Sequence, residues 1–204
     1  WDFDQYLREY WFRDSHCNNG PLVQEFEKKL AERLEVEHAV LVSSGTMALQ
    51  IALAALPKKG EIITTPFSYI ATSSAIAWQG HKPVFAGIDP QTFVLNPQNI
   101  GQYINPKTVA VLPTHVFGNA CEADKIADLG LFTIYDAAHA FGTIYRGKSV
   151  FSYGDVSILS LHGTKLMHCI EGGALLTNNA ELANKYRMLR NFGMDDTKEV
   201  KMVG

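Results

Sequence analysis

The chain has 204 residues, 47% hydrophobic and 19% charged, with a formal net charge of −3. That is enough for one large α/β domain with a sizeable core, and 18 scattered basic residues (the tightest group, Lys58 and Lys59, reads as a solvated turn) argue against a nucleic-acid-binding face. Cys17, Cys121 and Cys169 are odd in number and form no CxxC, which speaks against a disulfide framework or zinc site and for a reducing cytoplasm; no apolar run reaches the roughly 18 residues of a membrane span.

The N-terminus, Trp1-Asp2-Phe3-Asp4, is acidic rather than basic and so does not read as a signal peptide. It opens without Met, as expected of a fragment or processed chain. Trp1, Tyr6, Tyr10, Trp11 and Phe12 are dense here and suit a packed surface or subunit contact better than a cofactor pocket. After Gly20, Pro21 fits a first helical position, and Leu22, Phe26, Leu30 and Leu34 recur every four residues as one apolar stripe. Residues 39–42 read as a buried strand that runs into Ser43-Ser44-Gly45-Thr46 and a helix over 47–56. A strand over 61–65, stopped by Pro66, a helix over 69–79 and a strand over 83–88 follow. The pattern continues with a short helix over 96–104, a strand over 108–112, a helix over 120–129 and a strand over 131–135 that ends in Asp136. Residues 143–161 are mixed, with turns at Gly147 and Gly154. A strand over 173–177 and a helix over 180–190 complete the chain. Alternation of β-branched runs with helical patterns predicts an α/β domain around a mostly parallel sheet, without repeats or linkers.

Three segments could carry chemistry. In the first, the Ser43–Thr46 turn joins a strand to a helix N-terminus, where free amides, the helix dipole and hydroxyls make a phosphate site. Alone it is more often an ordinary N-cap. It is not GxxxxGK[ST], and no GxGxxG follows a strand, so P-loop and dinucleotide readings fail. In the second, Asp136-Ala-Ala-His139 lies at the carboxyl end of a strand, where α/β sheets place ligands. Asp136 could ligate a metal, act as a base, pair with a cationic ring or cap a helix, and His139 alone reads as a satisfied core histidine. In the third, Ser160-Leu-His-Gly-Thr-Lys165 precedes Glu171-Gly-Gly173, so that an apolar strand delivers one lysine into a turn of small neighbours. A lysine drawn out of water is a nucleophile toward aldehydes, although most lysines are simply on the surface. His16, His38, His81, His115 and His168 show no HxxxH or HExxH spacing, so no metal site is expected.

Together these segments resemble the DegT/DnrJ-type sugar aminotransferases, pyridoxal-phosphate enzymes of the aspartate-aminotransferase type I fold. The resemblance runs from about residue 19 to 193. Its motifs are Gly20-Pro-x-Val-x-x-Phe-Glu27, Ser44-Gly-Thr-x-Ala-Leu49, Thr65-Pro-Phe-x-Tyr-x-Ala-Thr72, Pro83-Val-Phe, Asp136-Ala-Ala-His139, Ser160-x-His-x-x-Lys165, Glu171-Gly-Gly-Ala-Leu175 and Leu189-Arg-Asn-x-Gly193. Each is weak alone; their joint order and spacing is specific.

The resemblance implies that Lys165 is the Schiff-base lysine and proton carrier, and that Asp136 pairs with the pyridinium nitrogen. It further implies that Gly45, Thr46 and Ser160 hold the phosphate, Tyr69 stacks on the ring, and His139 sits near the phenolic oxygen. Asn191 would reach the cofactor phosphate of a neighbouring subunit, giving a homodimer with a shared active site. The implied cofactor is pyridoxal 5′-phosphate. The implied reaction moves an amino group, with L-glutamate as donor, to a keto group of a nucleotide-linked deoxy-sugar in cytoplasmic polysaccharide biosynthesis. Residues 1–204 would be the large domain, a mixed, mostly parallel sheet flanked by helices with the cofactor at one sheet edge near strand ends. The smaller C-terminal domain of the family would be absent from this chain. Tyr135 departs from the acidic or polar residue that usually opens the Asp136 motif. Relatives that act as dehydratases carry histidine where this chain has Lys165. Amination of a cyclitol or related keto substrate, or a non-catalytic regulatory role, are the alternatives.

Overall fold

A computed structural model describes residues 3–12, 19–195 and 197–204. Trp1, His16, Cys17 and the side chains of Tyr10, Trp11 and Phe12 lie outside what is described; Tyr6 is half-buried on the first helix, α1 (Phe3–Phe12). The stripe after Gly20 forms α2 (Pro21–Leu34), with Pro21 in its first turn. It ends at Glu35, whose left-handed conformation (φ 58°) returns its amide to the carbonyls of Ala31 and Glu32.

The strands are β1 (His38–Val42), β2 (Glu61–Thr64), β3 (Lys82–Phe85), β4 (Thr108–Leu112), β5 (Ile134–Asp136), β6 (Ile144–Tyr145), β7 (Lys148–Ser149), β8 (Val156–Ser160) and β9 (Gly173–Thr177). Four of them hydrogen-bond in the order β1-β9-β8-β5 and three in the order β3-β2-β4. The two sets meet where β4 and β5 run parallel: Val111 N donates to Phe132 O and Asp136 N to Pro113 O, both at 2.9 Å, and His115 N to Asp136 O at 3.0 Å. The result is one layer in the order β1-β9-β8-β5-β4-β2-β3. In it β9 runs against both neighbours and the remaining pairs are parallel. β6 and β7 form a separate hairpin.

The remaining helices are α3 (Gly45–Ala54), α4 (Ile70–Trp78), α5 (Ala123–Ala127) and α6 (Ala180–Arg190). Side-chain alternation along each strand divides the core between two faces. Val40, Ile62, Leu112, Ile134, Ile158 and Leu175 pack with α3, α4 and α6 residues on one face. Ala39, Leu159, Ala174 and Leu176 face α2 on the other, and Ile63, Val111 and Tyr135 face α5. Helices therefore cover both sides of the sheet, as a mostly parallel sheet requires.

Several expected boundaries move, each for a local reason. α3 begins at Gly45 rather than 47, because Ser44 Oγ accepts the Met47 amide at 3.1 Å and caps it. Residues 96–104 make two separate 3₁₀ turns, Pro97–Asn99 and Gly101–Tyr103, instead of one helix. The helix expected over 120–129 shrinks to α5, since the Cys121 amide is taken by His115 Nδ1 at 2.9 Å. The strand expected over 83–88 stops at Phe85, and Ile88 makes only an isolated bridge to Leu95. Tyr135, the departure within the Asp136 motif, points to the sheet face opposite Asp136. It is buried there and stacks on His115 with ring centroids 4.7 Å apart. The substitution therefore falls in the core and not in the site.

Candidate active site

The carboxyl ends of β5 and β8 and the N-terminus of α3 converge on one cavity of about 700 Å³. The site thus lies near strand ends, as expected from sequence, but these are the ends of central strands and not of an outermost one. The Ser44–Thr46 turn reaches this place because β9 approaches it without a side chain. A Cβ on Gly173 would stand 2.4 Å from the Ser44 carbonyl carbon and 2.5 Å from the Gly45 nitrogen. Gly45 in turn leaves room for Ser160: its own Cβ would lie 3.0 Å from Ser160 Cβ and 3.4 Å from Ser160 Oγ. With Ser44 occupied as the cap, the Gly45 and Thr46 amides have no partner among the described residues. Two free helix-end amides beside the Thr46 and Ser160 hydroxyls form an anion cradle.

Asp136 closes the opposite side of the cavity. It is 5% exposed, accepts Thr72 Oγ1–H on Oδ2 at 2.7 Å and the Ala138 amide on Oδ1 at 3.2 Å. Its neighbour His139 lines the wall and stacks on Phe117, with ring centroids 5.8 Å apart and the rings nearly parallel. Partial burial, then the positive charge of Lys165, holds the His139 imidazole below its usual range, with Asp136 acting in the opposite sense. Tyr69 caps α4 from an extended conformation and is 75% exposed at the cavity mouth.

Lys165 enters from the loop between β8 and β9. The loop stem is closed by Leu161 N to Gly172 O at 2.8 Å, Gly163 N to Ile170 O at 2.8 Å and Cys169 N to Leu161 O at 3.0 Å. Within the loop His162 Nδ1 accepts the Thr164 amide at 3.2 Å, which leaves the proton on Nε2, 3.5 Å from Glu171 Oε1. Lys165 is half-buried, and its Nζ makes no hydrogen bond or ion pair among the described residues.

Gly45, Thr46, Tyr69, Asp136, His139, Ser160 and Lys165, all singled out from sequence, thus line one cavity. Asn191 does not: it terminates α6, outside the cavity lining of its own chain. Sequence reading gave no role to Ser68, Thr72, Thr114 and Phe117, which also shape the site. Thr114 carried a usable signal, since it is a polar residue just past an apolar strand, as Asp136 is. Phe117 carried none; its left-handed backbone (φ 53°) is visible only in three dimensions.

A pyridoxal-phosphate group would need three kinds of partner, and this donor set offers them. The free amides and hydroxyls suit a phosphate, the buried carboxylate suits a protonated ring nitrogen, and the unpaired lysine suits an aldehyde. The residues fit.

Such a mixed, mostly parallel sheet with helices on both faces is that of the type I aspartate-aminotransferase fold. The chain belongs to the DegT/DnrJ/EryC1/StrS aminotransferase family, whose model matches residues 2–204. It is 44% identical over 207 residues to a dTDP-4-amino-4,6-dideoxy-D-glucose transaminase of Shigella dysenteriae, covering 100% of this chain and 56% of that one. It is similar to the structure of DesI in the presence of its TDP-sugar product, with a TM-score of 0.90, 38% identity and coverage of 98% of this chain and 52% of DesI. It is also similar to NtdA of Bacillus subtilis with bound cofactor PMP, with a TM-score of 0.83, 32% identity and coverage of 91% and 44%. The chain thus spans about half the length of the relatives it matches.

Proposed function

We propose that this chain is the cofactor-binding large domain of a pyridoxal-phosphate aminotransferase. Its reaction moves an amino group from an amino acid, L-glutamate, to a keto carbon of a nucleotide-linked deoxy-sugar. The observation that carries the reading is the convergence of the anion cradle, Asp136 and Lys165 on one cavity.

Pyridoxal phosphate, when bound, supplies an electron sink for charge developing at the substrate carbon. The chain's own residues do the rest. The Gly45 and Thr46 amides and the Ser160 hydroxyl bind the phosphate. Asp136, acceptor-only as a carboxylate, takes the ring N–H. Tyr69 would cover a ring face, and His139 would face the phenolic oxygen. Lys165 Nζ would hold the aldehyde carbon and, as a free amine, would carry the proton taken from the substrate carbon. A sugar nucleotide as acceptor is supported by the likeness to the dTDP-amino-sugar transaminase of Shigella and to DesI, whose product is a TDP-sugar. A homodimer with Asn191 reaching the partner's phosphate, a smaller C-terminal domain following this one, and action in the reducing cytoplasm belong to the same reading.

The test is to load the protein with pyridoxal phosphate, add L-glutamate, then add a dTDP-4-keto-6-deoxyhexose. 2-Oxoglutarate equivalent to the bound cofactor, followed by an amino sugar in the mass spectrum, is the expected result. Loaded protein that releases no 2-oxoglutarate contradicts the reading.

A further inference from the structure

Asp136 Oδ2 is the end of a line of hydroxyls. Thr72 Oγ1 donates to it at 2.7 Å, Ser68 Oγ lies 2.7 Å from Thr72 Oγ1, and Thr114 Oγ1 lies 3.2 Å from Ser68 Oγ. Each hydroxyl has one proton, so the direction is fixed from the carboxylate outward. Thr72 spends its proton on Asp136, hence Ser68 must donate to Thr72, and Thr114 must donate to Ser68. Thr72 is 1% exposed and Thr114 6%, so water does not substitute readily for either. The three residues come from different places: Thr72 from α4, Ser68 from the turn before it, and Thr114 from the segment after β4, which is bridged to Asp136. Ser68 and Thr114 also line the cavity.

We propose that Thr114, Ser68 and Thr72 form a one-directional hydroxyl relay that positions the Asp136 carboxylate for the cofactor's ring nitrogen, with Thr72 as the direct positioning residue. This rests on the function proposed above. With the relay donating to Oδ2 and the Ala138 amide to Oδ1, rotation of the carboxylate would break a bond at both oxygens. The remaining lone pairs are then held in one plane. Hydrogen bonds in series polarise one another, so removing a distant member weakens the last bond.

The experiment is a titration of the full chain with pyridoxal phosphate, followed by absorbance, for the wild type, T72V, T72S, S68A and T114V. The pH dependence of the bound-cofactor spectrum is recorded for each. T72V is expected to bind roughly tenfold to a hundredfold more weakly, the size of a lost hydrogen bond to a charged group. S68A should fall between T72V and T114V, T72S should return to within about twofold of the wild type by restoring the donor, and the pH profile should move in S68A. Wild-type affinity and pH profile in both S68A and T114V, or T72S failing as T72V does, overturns the relay. A second measurement needs no cofactor: S68A should lower the denaturation midpoint more in the wild-type background than in D136N, where the chain no longer ends on a charge. An equal effect in both backgrounds overturns the relay as well. Wild-type protein that takes up no pyridoxal phosphate would instead refute the proposed function, while the denaturation comparison still decides the relay.

Discussion

A methyl group at position 173 would stand 2.4 Å from the Ser44 carbonyl carbon. Backbone must therefore move in Gly173→Ala, and what moves is the anion cradle itself. We expect a stability loss of about 1–3 kcal/mol, the usual cost of overpacking, together with weaker pyridoxal-phosphate binding. Denaturant midpoints and a cofactor titration check both, and wild-type values in the two would contradict the close approach. Asp136→Ala keeps the fold but removes the acceptor for the ring N–H, so transamination should drop by about 10²-fold or more; amino-sugar formation beside an unchanged far-ultraviolet spectrum measures it. Asp136 and Ser160 were legible as cavity residues because they are polar and stand at the ends of apolar strands, and Lys165 because it follows in a turn of small neighbours. Thr72 was not. It stood at the end of a quoted motif with no role, because its partner is 64 residues away and only the folded sheet brings the two together.

At the scale of elements, α2, β1 and α6 are tied by one ion pair. Glu27, 7% exposed, accepts the Leu41 amide at 2.8 Å and pairs with Arg190, which also donates to Leu41 O at 2.9 Å. Removing one partner of a buried pair leaves the other charge uncompensated, at about 3–5 kcal/mol. Glu27→Ala and Arg190→Ala should each approach that loss in urea unfolding, and Glu27→Gln should lose less, since it keeps an acceptor for Leu41. A surface-like loss below about 1 kcal/mol in both alanine variants would contradict the buried pair. Glu27 and Arg190 were both inside quoted motifs, yet their reason for being there was hidden: neither residue touches the cavity. The elements themselves were more legible. α6 and β4 match their expected spans, since a clean 3.6-residue or β-branched pattern has little competition. The stretch over 96–104 failed because Pro97 and Gly101 each start a short turn and periodicity does not register the break.

For the whole molecule, the two-faced sheet determines both the site and the acid response. His115 is fully buried against Tyr135, and burial holds its imidazole down to about 3. In an unfolded chain histidine titrates near 6.5. Between those values the unfolded chain binds a proton that the folded one does not, so this contribution is complete above about 6.5 and is lost as pH falls below it. At pH 5 the loss is about 2 kcal/mol. His115→Asn does not titrate, and its stability difference between pH 7 and pH 5 should be smaller than the wild type's by that amount; an equal difference would show that another group sets the acid response. The order of the sheet could not be read from the sequence, because β9 enters between β1 and β8 from more than 130 residues beyond β1. The alternation of strands and helices did give the layers.

The central claim is that Lys165 carries the cofactor. The measurement that tests it most directly is to add pyridoxal phosphate to the purified protein, reduce with borohydride and map the modified peptide by mass. The account predicts a visible absorbance band before reduction and a single adduct on Lys165, absent in Lys165→Ala. A band that persists in Lys165→Ala, or an adduct on any other lysine, would contradict it.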